Sequence, residues 1–70
     1  MKTKNNLLYK ALKKSYEAER DEALALLEIF FEKPTGVAEH TSFISDLKKY
    51  TRQLADAEEC LKTLKNHFEN

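Results

Sequence analysis

The fold of this chain is decided by its second half, where residues 43–68 read FISDLKKYTRQLADAEECLKTLKNHF. Its apolar positions recur at alternating intervals of four and three residues. They are Phe43, Leu47, Tyr50, Leu54, Ala57, Leu61, Leu64 and Phe68. This spacing is the a/d repeat of a helix that packs along one edge against another helix. Thr41 or Ser42 can cap its N-terminus, so the pattern predicts a helix over about residues 42–68.

The first half of the chain predicts a second helix over about residues 4–32. Its best apolar stripe is Tyr9, Leu12, Tyr16, Glu19, Ala23, Leu26 and Phe30, interrupted only by Glu19. The only proline and the only glycine, Pro34 and Gly36, lie between the two patterns and indicate a turn. The predicted fold class is therefore all-α, with residues 1–70 forming a single antiparallel helical hairpin.

The end of the first helix predicts self-association. From Ala23 to Phe31, eight of nine residues are apolar, and at helical spacing they point to every side. One partner helix covers only one side, so the remaining apolar residues need another chain. We therefore expect a four-helix bundle or a higher symmetric oligomer, because a 70-residue chain also buries little surface alone. The predicted oligomer interface is Leu24, Leu27, Ile29 and Phe31.

Composition limits the possible partners. Twelve basic and twelve acidic residues give a net charge of zero, which makes nucleic acid an unlikely partner. No apolar run approaches the roughly 20 residues of a membrane span, and the single Cys60 cannot form an internal disulfide. We therefore expect a cytoplasmic protein with no membrane partner. The charge is unevenly distributed, because residues 1–14 sum to +5 and residues 15–32 to −5.

Two segments could bind a small anion such as a nucleotide. The first is the basic N-terminal segment with Lys10, Lys13 and Lys14. The second is the turn leading into the second helix, with Gly36, His40, Thr41 and Ser42, since helix N-termini present free backbone N–H groups to anions. The alternative interpretation is a set of solvated lysines and an ordinary helix cap.

The sequence predicts no catalytic residue, no metal ligand and no cofactor. His40 and His67 lie at opposite ends of the hairpin, and Cys60 is two helical turns from His67. Acidic pairs at 19–22 and 56–59 resemble those of the all-α nucleotide pyrophosphohydrolases, although the second pair reads Asp-x-x-Glu rather than Glu-x-x-Asp. A magnesium-dependent enzyme of that kind is therefore one hypothesis for function, the least favoured of three.

The turn Pro-x-Gly-x-x-Glu-His at 34–40, with the run Ala-Asp-Ala-Glu-Glu at 55–59, resembles short helical-hairpin proteins of T4-type tailed phages. Ala38 stands where those proteins often have a second glycine. The resemblance implies a phage origin and the host bacterial cytoplasm. By analogy with phage hairpins that sequester cyclic nucleotide signals, the leading hypothesis is a non-enzymatic, oligomeric anti-defence protein that binds an anionic ligand. The alternative is an adaptor or inhibitor that docks a host protein through its apolar surface.

Overall fold

The structure, a computed structural model, describes residues 3–32 and 40–69. A 3₁₀ turn at Thr3–Asn5 precedes two long helices, α1 at Leu7–Glu32 and α2 at His40–Phe68. The helices pack against each other in antiparallel orientation to form a rod of 55 × 15 × 15 Å. The all-α helical hairpin is thereby confirmed. No helix within the described ranges is both long and apolar enough to cross a membrane.

Asn6 determines where α1 begins. Its side-chain Oδ1 accepts hydrogen bonds from the backbone N–H groups of Leu8, at 2.8 Å, and Tyr9, at 3.2 Å. This is the geometry of an N-cap, and α1 therefore starts three residues later than predicted. Helix α2 starts two residues earlier than predicted, at His40, so that Thr41 and Ser42 belong to its first turn.

The apolar positions of the four-three repeat form one edge of α2, which we call its seam, and this seam faces α1. Ala57 is fully buried, and the other seam positions from Phe43 to Leu64 are half-buried. Aromatic pairs hold the two ends of the rod. Phe30 packs edge-on against Phe43 with ring centroids 4.9 Å apart, and Tyr9 packs edge-on against Phe68 at 6.0 Å.

The seam of α1 differs from the predicted stripe at Leu12 and Glu19, whereas predicted Leu26 is half-buried beside buried Leu27. The residues that face α2 are Tyr9, Lys13, Tyr16, Arg20, Ala23, Leu26, Leu27 and Phe30, all of them buried or half-buried. Leu12 is 43% exposed and Glu19 is also exposed. Lys13 and Arg20 take these positions because their aliphatic stems can pack in the seam while their charged groups reach its edge.

This shift corrects one residue of the predicted oligomer interface. Leu27 is only 6% exposed because it packs against α2, and it is therefore unavailable to a partner chain. The other three predicted residues are on the surface of the single hairpin. Leu24 is 39% exposed, Ile29 is 52% exposed and Phe31 is 69% exposed.

Candidate anion-binding groove

A shallow groove of about 260 Å³ runs between the two helices near the open end of the hairpin. We call it the cationic groove. Its lining residues are Lys13, Glu17, Arg20, Leu61, Lys62, Lys65 and Glu69. Four cations and two carboxylates give the lining a net charge of +2. The groove is therefore a place where both helices contribute positive charge to one concave surface.

Helical periodicity brings these residues together. On α1, Glu17 follows Lys13 by four residues, so the two lie on the same side of the helix. On α2, Lys65 follows Leu61 by four residues, and Glu69 follows Lys65 by four just beyond the helix end. Leu61 is half-buried and provides apolar surface in the groove. The charged side chains surround it, which suits a ligand with an apolar or aromatic part and an anionic group.

Glu69 is already occupied by partners within the chain. Its Oε2 accepts a hydrogen bond from the Tyr9 hydroxyl at 2.6 Å and pairs with Lys13 Nζ at 3.0 Å. The hydrogen bonds from Tyr9 and Lys13 lower the pKa of Glu69. Burial of Tyr9, followed by its bond to Glu69, raises the pKa of Tyr9 to about 12. Glu69 therefore stays ionised at neutral pH and balances Lys13.

The remaining cations of the groove have more capacity for a ligand. The Nε of Arg20 donates to Asp21 at 3.0 Å, which leaves the terminal guanidinium nitrogens. Lys62 and Lys65 are exposed and form no ion pair within the described part of the chain. An anion in the groove would thus meet Lys62, Lys65 and the end of Arg20.

The structure separates the two predicted anion-binding segments. Lys13 lines the groove, whereas Lys10 and Lys14 are exposed beside it and are not part of the lining. Gly36 lies outside the described residues, and His40, Thr41 and Ser42 are the first three residues of α2. Eighteen residues of α1, about 27 Å at 1.5 Å per residue, separate Lys14 from the end of α1. A single hairpin therefore does not combine both segments in one site.

The acidic pairs do not assemble into a metal site. Gln53 Nε2 donates to the carbonyl oxygen of Glu19 at 2.9 Å and to Glu22 Oε1 at 2.8 Å. Within residues 3–32 and 40–69, no three His, Cys, Asp or Glu side chains are grouped closely enough to hold a metal ion.

A second, more apolar depression of about 530 Å³ lies on α2 near the turn. It is lined by Ile44, Leu47, Lys48, Thr51, Arg52 and Ala55. Ile44 is 45% exposed and follows Phe43, which packs on α1. Leu24 and Phe31 lie seven residues apart on one side of α1 at the same end of the rod. We call Leu24, Phe31 and Ile44 the turn-end patch.

Comparison with known proteins found no family model, no curated protein and no solved structure that matches this chain. The resemblance of its turn to T4-type phage hairpin proteins therefore remains a prediction from the sequence.

Proposed function

We propose that this protein is a non-enzymatic binding protein that takes a small anionic ligand in the cationic groove. The observation that carries the proposal is the convergence of Arg20, Lys62 and Lys65 around half-buried Leu61. Charge-assisted hydrogen bonds from several cations give an anion both affinity and orientation. A nucleotide matches this chemistry, because it combines a phosphate with a flat, partly apolar base.

The resemblance to phage proteins suggests which nucleotide this would be, a signalling nucleotide of the host. A phage hairpin that binds a signalling nucleotide would lower its free concentration and so counter a host defence. Sequestration of this kind needs no catalytic group, only affinity and abundance.

Calorimetry with a panel of linear and cyclic nucleotides at low salt tests the proposal. We expect at least one member to bind, and we expect Lys62→Gln with Lys65→Gln to weaken binding roughly tenfold, since an ion pair with an exposed lysine contributes up to about 1 kcal/mol. Lys48→Gln with Lys49→Gln is the matched control, because it removes the same charge near the turn. No binding by any member, or an equal loss in both double variants, would contradict a site in the groove.

The turn-end patch favours a second candidate function, an adaptor or inhibitor that docks a host protein. Phe31 is 69% exposed and Ile44 is 45% exposed, although isolated proteins seldom leave large side chains of this kind grouped in water. We expect Phe31→Glu to abolish capture of a stoichiometric host partner while leaving the helical circular dichroism signal and nucleotide binding unchanged. Capture that is equally strong with Phe31→Glu would exclude this patch as the docking surface.

A further inference from the structure

The outer face of α1, on the side opposite the seam, has no partner among residues 3–32 and 40–69. Ala11, Ala18 and Ala25 follow one another at intervals of seven residues along this face, and all three are exposed. Residues seven apart lie almost on one line along a helix. Because alanine has no side chain beyond Cβ, a second helix could approach this line closely. Leu8, 79% exposed, and Ile29, 52% exposed, flank the line at its two ends.

The charges on this face complement themselves when two copies are antiparallel. Lys14 lies in the first half of α1, and Asp21 and Glu32 lie in the second half. An antiparallel pair places the basic half of each copy beside the acidic half of the other. A parallel pair would instead place Lys14 beside Lys14 and Asp21 beside Asp21.

We infer that the outer face of α1 binds a second copy of this chain, antiparallel, about a twofold axis that passes beside Ala18. In this register Ala18 meets its own copy, and Ala11 of each chain meets Ala25 of the other. A twofold interface is self-complementary, so every other contact occurs twice. This interface does not involve the cationic groove and needs no ligand there.

Two further pairings follow from the same register. Lys14 lies beside Asp21 of the second copy. Leu8 lies beside Ile29, so that two strongly exposed apolar side chains cover each other at both ends of the interface.

Registers shifted by one heptad are unfavourable because they bring like charges together across the interface. A shift of one heptad in one direction places the two copies of Lys14 side by side, and a shift in the other direction does the same for Asp21. Like charges at such positions oppose pairing. The existing contacts leave these groups free to pair, because Lys14 has no ion pair within the described residues and Asp21 engages Arg20 through Oδ1 alone.

Cross-linking at the symmetry axis tests the inference on the full chain. With Cys60→Ser as background, we expect Ala18→Cys to form a covalent dimer rapidly under mild oxidation, because each new thiol meets its own copy. Ala25→Cys is the matched control and should cross-link slowly alone. It should cross-link rapidly when mixed with an Ala11→Cys chain. Equal rates for Ala18→Cys and Ala25→Cys alone, or a monomeric mass by light scattering at all concentrations, would overturn the inference.

Exchanging the charges of Lys14 and Asp21 gives a second test, in which the dimer dissociation constant is measured without any cross-link. We expect Lys14→Glu to raise the dimer dissociation constant about tenfold, because two attractive pairs become two repulsive ones. Adding Asp21→Lys to the same chain should restore the wild-type constant. Lys48→Glu carries the same change of charge on α2 and should have little effect. A double variant that dissociates as readily as Lys14→Glu alone would refute the pairing, whether or not the groove binds a nucleotide.

Discussion

Tyr9 joins the open end of the hairpin through two different kinds of contact. Its ring packs edge-on against Phe68, and its hydroxyl donates to Glu69, which also pairs with Lys13. Tyr9 is only 7% exposed and is one of the few buried side chains that the structure describes. The contact needs a protonated phenol and an ionised carboxylate, so it depends on pH at both extremes.

We expect alkali to weaken the hairpin through Tyr9. Its pKa is raised from 10.0 to about 12 by burial first and then by Glu69. Because the folded chain holds this proton more tightly than the unfolded chain, the contribution to stability is complete below pH 10 and is lost as the pH rises towards 12. Urea unfolding followed by circular dichroism at several pH values measures the loss.

Tyr9→Phe is the control for this prediction. It should lower stability at neutral pH and flatten the decline between pH 10 and 12. The pKa of Tyr16 is also raised, chiefly by its hydrogen bond with Cys60, so a smaller decline should persist and disappear when Tyr16→Phe is added. A decline of unchanged size in the double variant would show that neither tyrosine causes it.

At the level of whole helices, the sequence predicts the seam of α2 completely and the seam of α1 only in part. In α2 every seam position is apolar, so the seam follows directly from the four-three spacing. In α1 the positions Tyr9, Tyr16, Ala23 and Phe30 are equally clear, but each intervening position offers two adjacent residues. Hydropathy favours Leu12 over Lys13, whereas the structure places Lys13 in the seam beside Glu69. That choice depends on a partner 56 residues away, which local pattern cannot supply.

The same reason limits prediction of the site. Lys13 is found from the basic N-terminal segment alone. Arg20, Lys62 and Lys65 join it only once the register of the hairpin is known, because each lies among ordinary charged residues of its own helix. The antiparallel arrangement places Lys13 opposite the end of α2, and this is the sequence signal that could have identified Lys62 and Lys65 as its neighbours.

Leu27→Asp tests the corrected seam of α1. Leu27 is 6% exposed, so the variant buries a carboxylate against α2 in addition to losing apolar contacts. Truncating a buried leucine alone typically costs about 2–5 kcal/mol, a large share of the stability of a small domain. We expect loss of most helical signal at 222 nm. Ile29→Asp is the matched control at a position that is 52% exposed, and it should leave the isolated hairpin helical. Equal effects of the two substitutions would contradict the placement of Leu27.

The whole molecule is a rod only two helices thick. Within the described residues, the buried apolar side chains are Tyr9, Ala23, Leu27 and Ala57, and two of these four are alanines. Many larger apolar residues remain at the surface, among them Leu7 at 81% and Phe31 at 69% exposure. A molecule of this shape keeps large apolar side chains at its surface that a partner could cover.

The thinness of the rod also governs how it responds to heat. The heat-capacity change of unfolding grows with the apolar surface that unfolding newly exposes, and a lone hairpin already exposes much of its own. Its stability should therefore vary gently with temperature. Because the enthalpy of unfolding scales with chain length, the melting of a 70-residue chain should also be broad. Any assembly that covers the outer face of α1 adds apolar surface to that change, so a steeper melting curve at higher protein concentration would be its calorimetric signature.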